Sequence, residues 1–264
     1  MVFSFSLVHN VFMKTNDEIT KENLEESYSF LSKKVLEERS KNYSPILLSF
    51  RNEILRQHYP LSPQDMLNLD LLYFESLKID GKTYLGREAL EEAYSLLQKI
   101  ETFPEDKFSF YKDLAMDFQT IEDVRKEVAC LKEASFLASK IGRRDEAIAL
   151  KKDVIALIFR FPPEERKEEF PSYEELILQF GKDTGKELFS LEEEEPYILY
   201  DTVETNPFYI RLIDKVNHRL SDYFQENPKE FSEQKFNSLK RRFLKEEGLE
   251  WNPPSSNPKR ISKA

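Results

Sequence analysis

The sequence predicts an all-α chain, and three observations carry that prediction. Glycine occurs six times in 264 residues, well under the average of about 7%. Charged residues make up 33% and hydrophobic residues 40%, with a mean hydropathy of −0.60, a balance that fits long amphipathic helices better than a turn-rich sandwich. Finally, proline, which collects at first helical turns and in connections because it lacks an N–H and clashes with the preceding turn, punctuates the chain at helix-length intervals. About ten helices are expected, and the chain is long enough to bury a real core.

Taken in order, the first stretch, residues 1–16, is mostly apolar from Val2 to Met13. No Lys or Arg precedes that run and no Ala-x-Ala-like site follows it, so a segment packed on the domain is expected, with a cleaved signal peptide as the alternative. It is shorter than the roughly 20 apolar residues that span a bilayer. From Thr20, Leu24, Tyr28, Leu31 and Val35 form one stripe. Ser44-Pro45 opens a helix through His58, and Ser62-Pro63 caps another with Met66, Leu67, Leu71, Phe74 and Leu77 on one face, stopped at Asp80-Gly81. Gly86 precedes a run with Leu90, Ala93, Leu97 and Ile100 at spacings of three and four, ending near Pro104. Pro104 to Pro162 contains no proline. Three helices are expected there, from Pro104 to Gln119, from Thr120 to Ile141 and from Arg143 to Phe161, with Thr120 as a cap and Gly142 as the left-handed turn between the last two.

Prolines and the Glu192 to Glu195 run then interrupt the pattern, leaving two helices and an irregular acidic stretch over 162–205. Asn206-Pro207 and Asn227-Pro228 start a final pair, with Leu212, Val216, Leu220 and Tyr223 on the first and Phe231, Phe236, Leu239 and Phe243 on the second, closed by Gly248. The organisation is therefore a helical domain over 17–161, an acidic segment over 162–205 and a C-terminal pair over 206–251. The tail over 252–264, rich in Pro and Ser and poor in apolar residues, is expected to be disordered.

Charge follows these boundaries. The formal net charge of −10 divides into −4 for residues 1–160, −10 for 161–205 and +4 for 206–264. Such a balance argues against a surface that grips nucleic acid or anionic lipid throughout, so no nucleic-acid partner is expected.

Leu131 to Leu150 read Leu-Lys-Glu-Ala-Ser-Phe-Leu-Ala-Ser-Lys-Ile-Gly-Arg-Arg-Asp-Glu-Ala-Ile-Ala-Leu. Ala134, Ser135 and Ala138 permit close approach of a paired helix, and Ala147 is the small knob facing them. This stretch resembles a tetratricopeptide (TPR) repeat, over one copy of about 34 residues. It departs from the family's pattern at Ala138 and Lys151, which stand in place of aromatics, and at Val154 in place of a later Ala; the closing Pro arrives late, as Pro162. Gly86 to Pro104, with Ala89 and Ala93, resembles half of another copy, but Ala93 and Ala147 are 54 residues apart. The resemblance thus implies stacked antiparallel helical hairpins in an irregular α-solenoid, since one repeat cannot bury both its faces. It also implies a partner-facing side on the helix before Gly142, made of Ala129, Lys132, Phe136, Ser139 and Lys140. Phe136 stands where the family's carboxylate-binding pattern has an Asn, so an acidic C-terminal tail is not the expected ligand.

Motifs for catalysis are missing. Gly181-Lys182-Asp183-Thr184-Gly185-Lys186 has three residues between its glycines where a phosphate loop needs four, and Glu187 where Ser or Thr belongs, so it reads as a helix break. Cys130 cannot form an internal disulfide, and one Cys with His9, His58 and His218 makes no zinc framework. Asp214 and His218, at i and i+4, are expected to be a solvated pair. Glu192 to Glu195 lack the interleaved spacing of a calcium loop. No cofactor or metal is expected. Lys240, Arg241, Arg242 and Lys245 form a candidate basic patch on the last helix, beside an apolar stripe.

These readings converge on a non-enzymatic scaffold or adaptor that binds a protein or peptide. Two alternatives stay open: a structural subunit that self-associates through its acidic and basic regions, and an enzyme with an unrecognised helical site. A cytoplasmic location is expected, with export the alternative if the apolar N-terminal segment acts as a signal.

Overall fold

The computed structural model describes residues 21–194 and 196–262, so the N-terminal apolar segment lies outside the described residues. The fold is all-α, with one short two-stranded ladder. The chain divides into two compact units, residues 1–100 and 101–264.

In the first unit, α1 (Lys21–Ser32) runs into a π-helical turn (Lys33–Glu37), followed by α2 (Ser44–Arg56), α3 (Pro63–Asp80) and α4 (Arg87–Lys99). The caps are those the sequence signals. Ser62 Oγ accepts from the Asp65 N–H (3.1 Å), and Gly81 ends α3 with φ +69°. Leu47, Phe50, Leu67, Phe74, Leu90 and Leu97 fill the core. Gly86 lies so close to the Phe74 ring that a Cβ there would fall 2.2 Å from a ring carbon. Buried Arg51 joins three helices: its Nε donates to Asp70 (2.6 Å) and its Nη2 to Glu92.

The second unit opens with three antiparallel helices, α5 (Pro104–Thr120), α6 (Val124–Lys140) and α7 (Arg144–Ile158). The cap of α6 falls three residues later than predicted. Thr120 is the last residue of α5, with its hydroxyl donating to the Met116 carbonyl (2.9 Å), and Asp123 accepts from the Lys126 N–H (3.1 Å). The turn needs a left-handed residue, which Glu122 supplies at φ +58°. Gly142 (φ +80°) sits in a Schellman turn, with Arg143 N–H donating to the Ala138 carbonyl and Gly142 N–H to Ser139. Ala134, Ser135, Ala138 and Ala147 are fully buried, and Ser135 Oγ donates to the Ala147 carbonyl (2.8 Å). The small residues therefore do bring α6 and α7 together.

Three short helices follow, α8 (Pro163–Glu169), α9 (Tyr173–Phe180) and α10 (Lys182–Ser190), one more than expected. Gly181 (φ +84°) breaks the run, so Leu176, Phe180 and Leu188 reach the core from two helices. Next come β1 (Ile198–Leu199), α11 (Pro207–Glu226) and α12 (Glu233–Glu246). Asn227-Pro228 opens only a single turn, and Ser232 is the true cap of α12. Tyr209, Ile213, Val216, Leu220, Leu239, Phe243, Leu244 and Trp251 form the core of this end.

The expectation of a disordered tail is corrected over the residues described. β2 (Ser255–Ser256) pairs antiparallel with β1, placing Ile198 opposite Ser256. Asn257 is buried: its N–H donates to the Tyr197 carbonyl (2.8 Å), its Nδ2 to Pro196 (2.9 Å), and its Oδ1 caps α13 (Pro258–Ile261). Main-chain pairing and side-chain amides hold the segment, which is why apolar content did not predict its order.

Candidate functional site

The face predicted on α6 is only partly open. Lys132 Nζ pairs with Glu169 Oε2 (2.6 Å) and donates to the Glu169 carbonyl (3.1 Å). Ser139 Oγ approaches the Gln179 carbonyl at 3.4 Å, Gln179 reaches back to the Ser135 carbonyl (3.2 Å), and Ala129 is half-buried. The expected continuous set is narrowed to Phe136 and Lys140, both exposed, with the Lys140 ammonium 4.2 Å above the Phe136 ring. The chain's own α8 and α9 occupy the rest, which residue spacing along α6 alone could not reveal.

The basic patch is also corrected. Lys240 is buried, its Nζ 2.6 Å from Glu122 Oε2 and 4.7 Å from the Trp251 ring. Glu122 also accepts from Tyr209 (2.9 Å) and Asn217 (3.3 Å). Burial pushes this carboxyl up, but Lys240 and these hydrogen bonds outweigh that and hold it below the usual carboxylate range. Arg241 Nε donates to the Trp251 carbonyl (3.3 Å), and Arg242 lies over Phe243 and 3.7 Å from Glu246. Lys245 is exposed.

Six of the fourteen carboxylates of the acidic segment pair with cations of the same chain. Glu165 pairs with Arg125, Glu169 with Lys132, Glu175 with Lys151, Glu187 with Lys152, Glu204 with Arg160 and Glu194 with Arg260. Trp251 Nε1 donates to the same Glu204 (2.8 Å).

Two buried carboxyls titrate near neutrality. Burial pushes Asp70 up to about 7 against the pull of Arg51, and its Oδ2 has no hydrogen-bond partner. Burial likewise pushes Glu127 up to about 7, opposed by Arg160 and reinforced by Asp153 and Asp123. Perturbed carboxyls of this kind can mark catalytic acids, but neither of these lines the two cavities described next. Burial pushes the Cys130 thiol far up, which suits an inert core thiol. His218 Nε2 lies 3.5 Å from Asp222 on exposed surface. Among the described residues, no three His, Cys, Asp or Glu side chains group as metal ligands. No helix of the described residues is long and apolar enough to cross a membrane.

The first cavity, about 440 Å³ in the first unit, lies between Tyr28, Phe50, Tyr59 and Leu69, with Asp65 at its edge already hydrogen-bonded in the Ser62 cap. The second, about 420 Å³, is a groove in the second unit between the end of α7, α8 and the β1–β2 ladder. Phe159, Arg160, Arg166, Ile198, Leu199 and Tyr200 line it, and no Asp or Glu is among its described lining residues. Helical periodicity does not reveal this groove, because Ile198-Leu199-Tyr200 lies in an acidic stretch interrupted by proline. A run of apolar residues between Pro196 and Asp201 was the available signal.

No family model, curated protein or solved structure matches the chain.

Proposed function

We propose that the chain is a non-enzymatic scaffold or adaptor for protein partners, built on stacked, TPR-like helical hairpins. The observation that carries this reading is a recurrent register of long-range contacts. Five side-chain pairs in the second unit join residues 34 (Lys112 to Glu146), 40 (Arg125 to Glu165), 37 (Lys132 to Glu169), 35 (Lys152 to Glu187) and 44 (Arg160 to Glu204) positions apart, while pairs involving the C-terminal helices, such as Lys240 to Glu122 at 118, fall outside this register. In the first unit, Arg39 meets Glu75 at 36 and Arg51 meets Glu92 at 41. A separation of one two-helix unit is what stacked hairpins generate, since each position meets its counterpart in the next pair. The scatter in these separations fits an irregular stack.

Self-association through opposite charge has less support, because the acidic segment spends six carboxylates on cations of its own chain. Quantitative affinity capture of the full chain from its native cells tests the scaffold reading, with the eluate resolved by sedimentation. One or a few proteins in fixed ratio to the chain are expected. Recovery of the chain alone, as a monomer, overturns the reading.

A further inference from the structure

We propose that the groove beside β1 receives an extended segment of a protein partner in which an acidic residue neighbours an apolar one; this rests on the scaffold reading and names the surface that does the binding. Three observations place this chemistry there. The first is apolar exposure: Tyr197, Ile198, Leu199 and Tyr200 retain 56%, 42%, 39% and 38% of their surface. A covered strand buries every second side chain, whereas here four in a row stay open, forming an apolar patch of the kind that marks interaction sites.

The second is the edge. In the two-stranded ladder β1 has β2 as its single strand partner among the described residues. A strand paired on one side offers main-chain donors and acceptors to an added strand, with pockets beside it reading alternate side chains.

The third is charge. Arg166 is fixed by hydrogen bonds from Nη2 to the Phe159 and Phe161 carbonyls (3.0 and 3.3 Å) and lies over the Phe159 ring, yet it makes no ion pair among the described residues. Arg160 lies over Tyr200, 4.3 Å from the ring, and shares its one carboxylate, Glu204, with Trp251. The Nε–H of each is buried without an acceptor, and no hydrogen bond engages the Nη1 of either among the described residues. Elsewhere in this unit Arg125, Lys132, Lys152 and Lys240 each hold a carboxylate, whereas Arg144, bonded to the Phe180 carbonyl, is like Arg166 without an ion pair but lies outside the groove. A pre-positioned guanidinium beside an apolar strand fits a carboxylate next to an aliphatic or aromatic side chain.

Panning a displayed random heptapeptide library on the full chain tests this, with the Ile198→Glu chain left out of the selection and used only to measure the selected peptides. Ile198 is exposed, so the substitution leaves the core intact, and unchanged circular dichroism and Trp251 emission verify the fold. Selected peptides are expected to carry Asp or Glu within two positions of Leu, Ile, Phe or Tyr. A labelled synthetic copy should bind more weakly as salt rises, and about tenfold more weakly to Ile198→Glu, by repulsion and lost apolar contact. Arg166→Lys, which keeps the charge but loses the planar fork, should weaken it as well. No selected peptide, peptides without acidic residues, or binding indifferent to Ile198→Glu overturns the proposal. So does a dimer abolished by Ile198→Glu, which would assign the groove to a second copy, or equal competition by acetate, which would assign it to small anions. If affinity capture returns the same partners from Ile198→Glu as from the unaltered chain, the groove assignment falls while the scaffold reading stands.

Discussion

Replacing Lys240 with Met isolates the contact that ties the turn before α6 to the last helix. The Lys240 side chain keeps 6% of its surface and Glu122 keeps 29%. Removing one partner of a buried pair costs about 3–5 kcal/mol, because the remaining charge stays desolvated. Glu122 retains its bonds from Tyr209 and Asn217 and some access to water, which points to the low end, about 3 kcal/mol, or a fall in Tm of about 6–12 °C for a unit of this size. Trp251, the one tryptophan, lies 4.7 Å from Lys240 Nζ and is buried, so its emission in a urea titration follows this unit selectively. The exposed control Lys245→Met should stay within about 0.5 kcal/mol of the unaltered chain. Glu122→Gln combined with Lys240→Met should cost clearly less than the sum of the two, by about 2 kcal/mol. The sign of the pH dependence is fixed too: with the native carboxyl of Glu122 held down, the pair stabilises above the unfolded value and that stability is lost as pH falls through the native one, so the gap between unaltered chain and variant should close in acid. A loss under about 1 kcal/mol for Lys240→Met, or strict additivity in the cycle, would refute this account.

Three further outcomes follow from buried groups. Because burial raises Glu127 from 4.5 to about 7, the native state binds the extra proton between those values, so the unaltered chain should lose stability as pH rises through that window; Glu127→Gln should remove on the order of 2–3 kcal/mol of that fall, read by Trp251 emission in urea at pH 5 and pH 8. Arg51→Met should destabilise the first unit by about 3 kcal/mol by stranding Asp70, while Arg51→Met with Asp70→Leu should recover most of it, as measured by hydrogen exchange over residues 47–77. Gly185→Ala puts a Cβ 2.9 Å from the Ile177 nitrogen and 3.0 Å from its Cα, so α9 and α10 must separate; proteolysis within residues 173–190 should quicken and stability fall by about 1–3 kcal/mol, where helix propensity alone would predict a gain of up to about 1 kcal/mol.

Elements held by local chemistry were legible in the sequence. Pro63, Pro104 and Pro207 at first turns, Ser62 and Asn206 as caps, and Gly81, Gly142 and Gly248 at left-handed ends all act within a few residues of themselves. What escaped depends on partners far along the chain. Lys240 follows Leu239 on the flank of the apolar stripe and carries a charge, so by pattern it belongs to solvent; it is buried because Glu122, 118 residues earlier, receives it. By composition the tail belongs to solvent, because Pro, Ser and Asn bury little apolar surface, but it is held by the ladder to Ile198–Leu199, by Asn257 donating to the Pro196 and Tyr197 carbonyls, and by Asn252 N–H donating to Asp201 (2.9 Å). On α6, Lys132 and Ser139 read as partner-facing by helical spacing alone, and the contacts that cover them come from Glu169 and Gln179, 37 and 40 residues on.

The acidic segment joins these points. Its excess of ten negative charges would be costly as a free surface held against the helices, since like charges repel over about 8 Å at physiological ionic strength. The hairpin α6–α7 and the turn after it meet five of its fourteen carboxylates with Arg125, Lys132, Lys151, Lys152 and Arg160, so part of this charge pattern joins one part of the chain to the next. The exposed pairs among these stabilise little one by one, and the same segment sends Leu176, Phe180 and Leu188 into the core. A cation left out of this pairing is therefore informative. Arg166 lies inside the acidic segment itself, with Glu164, Glu165, Glu168 and Glu169 close by in sequence, yet its guanidinium turns to the Phe159 and Phe161 carbonyls and to the groove beside β1. The chain had carboxylates at hand to neutralise it and directs them elsewhere, Glu165 to Arg125 and Glu169 to Lys132.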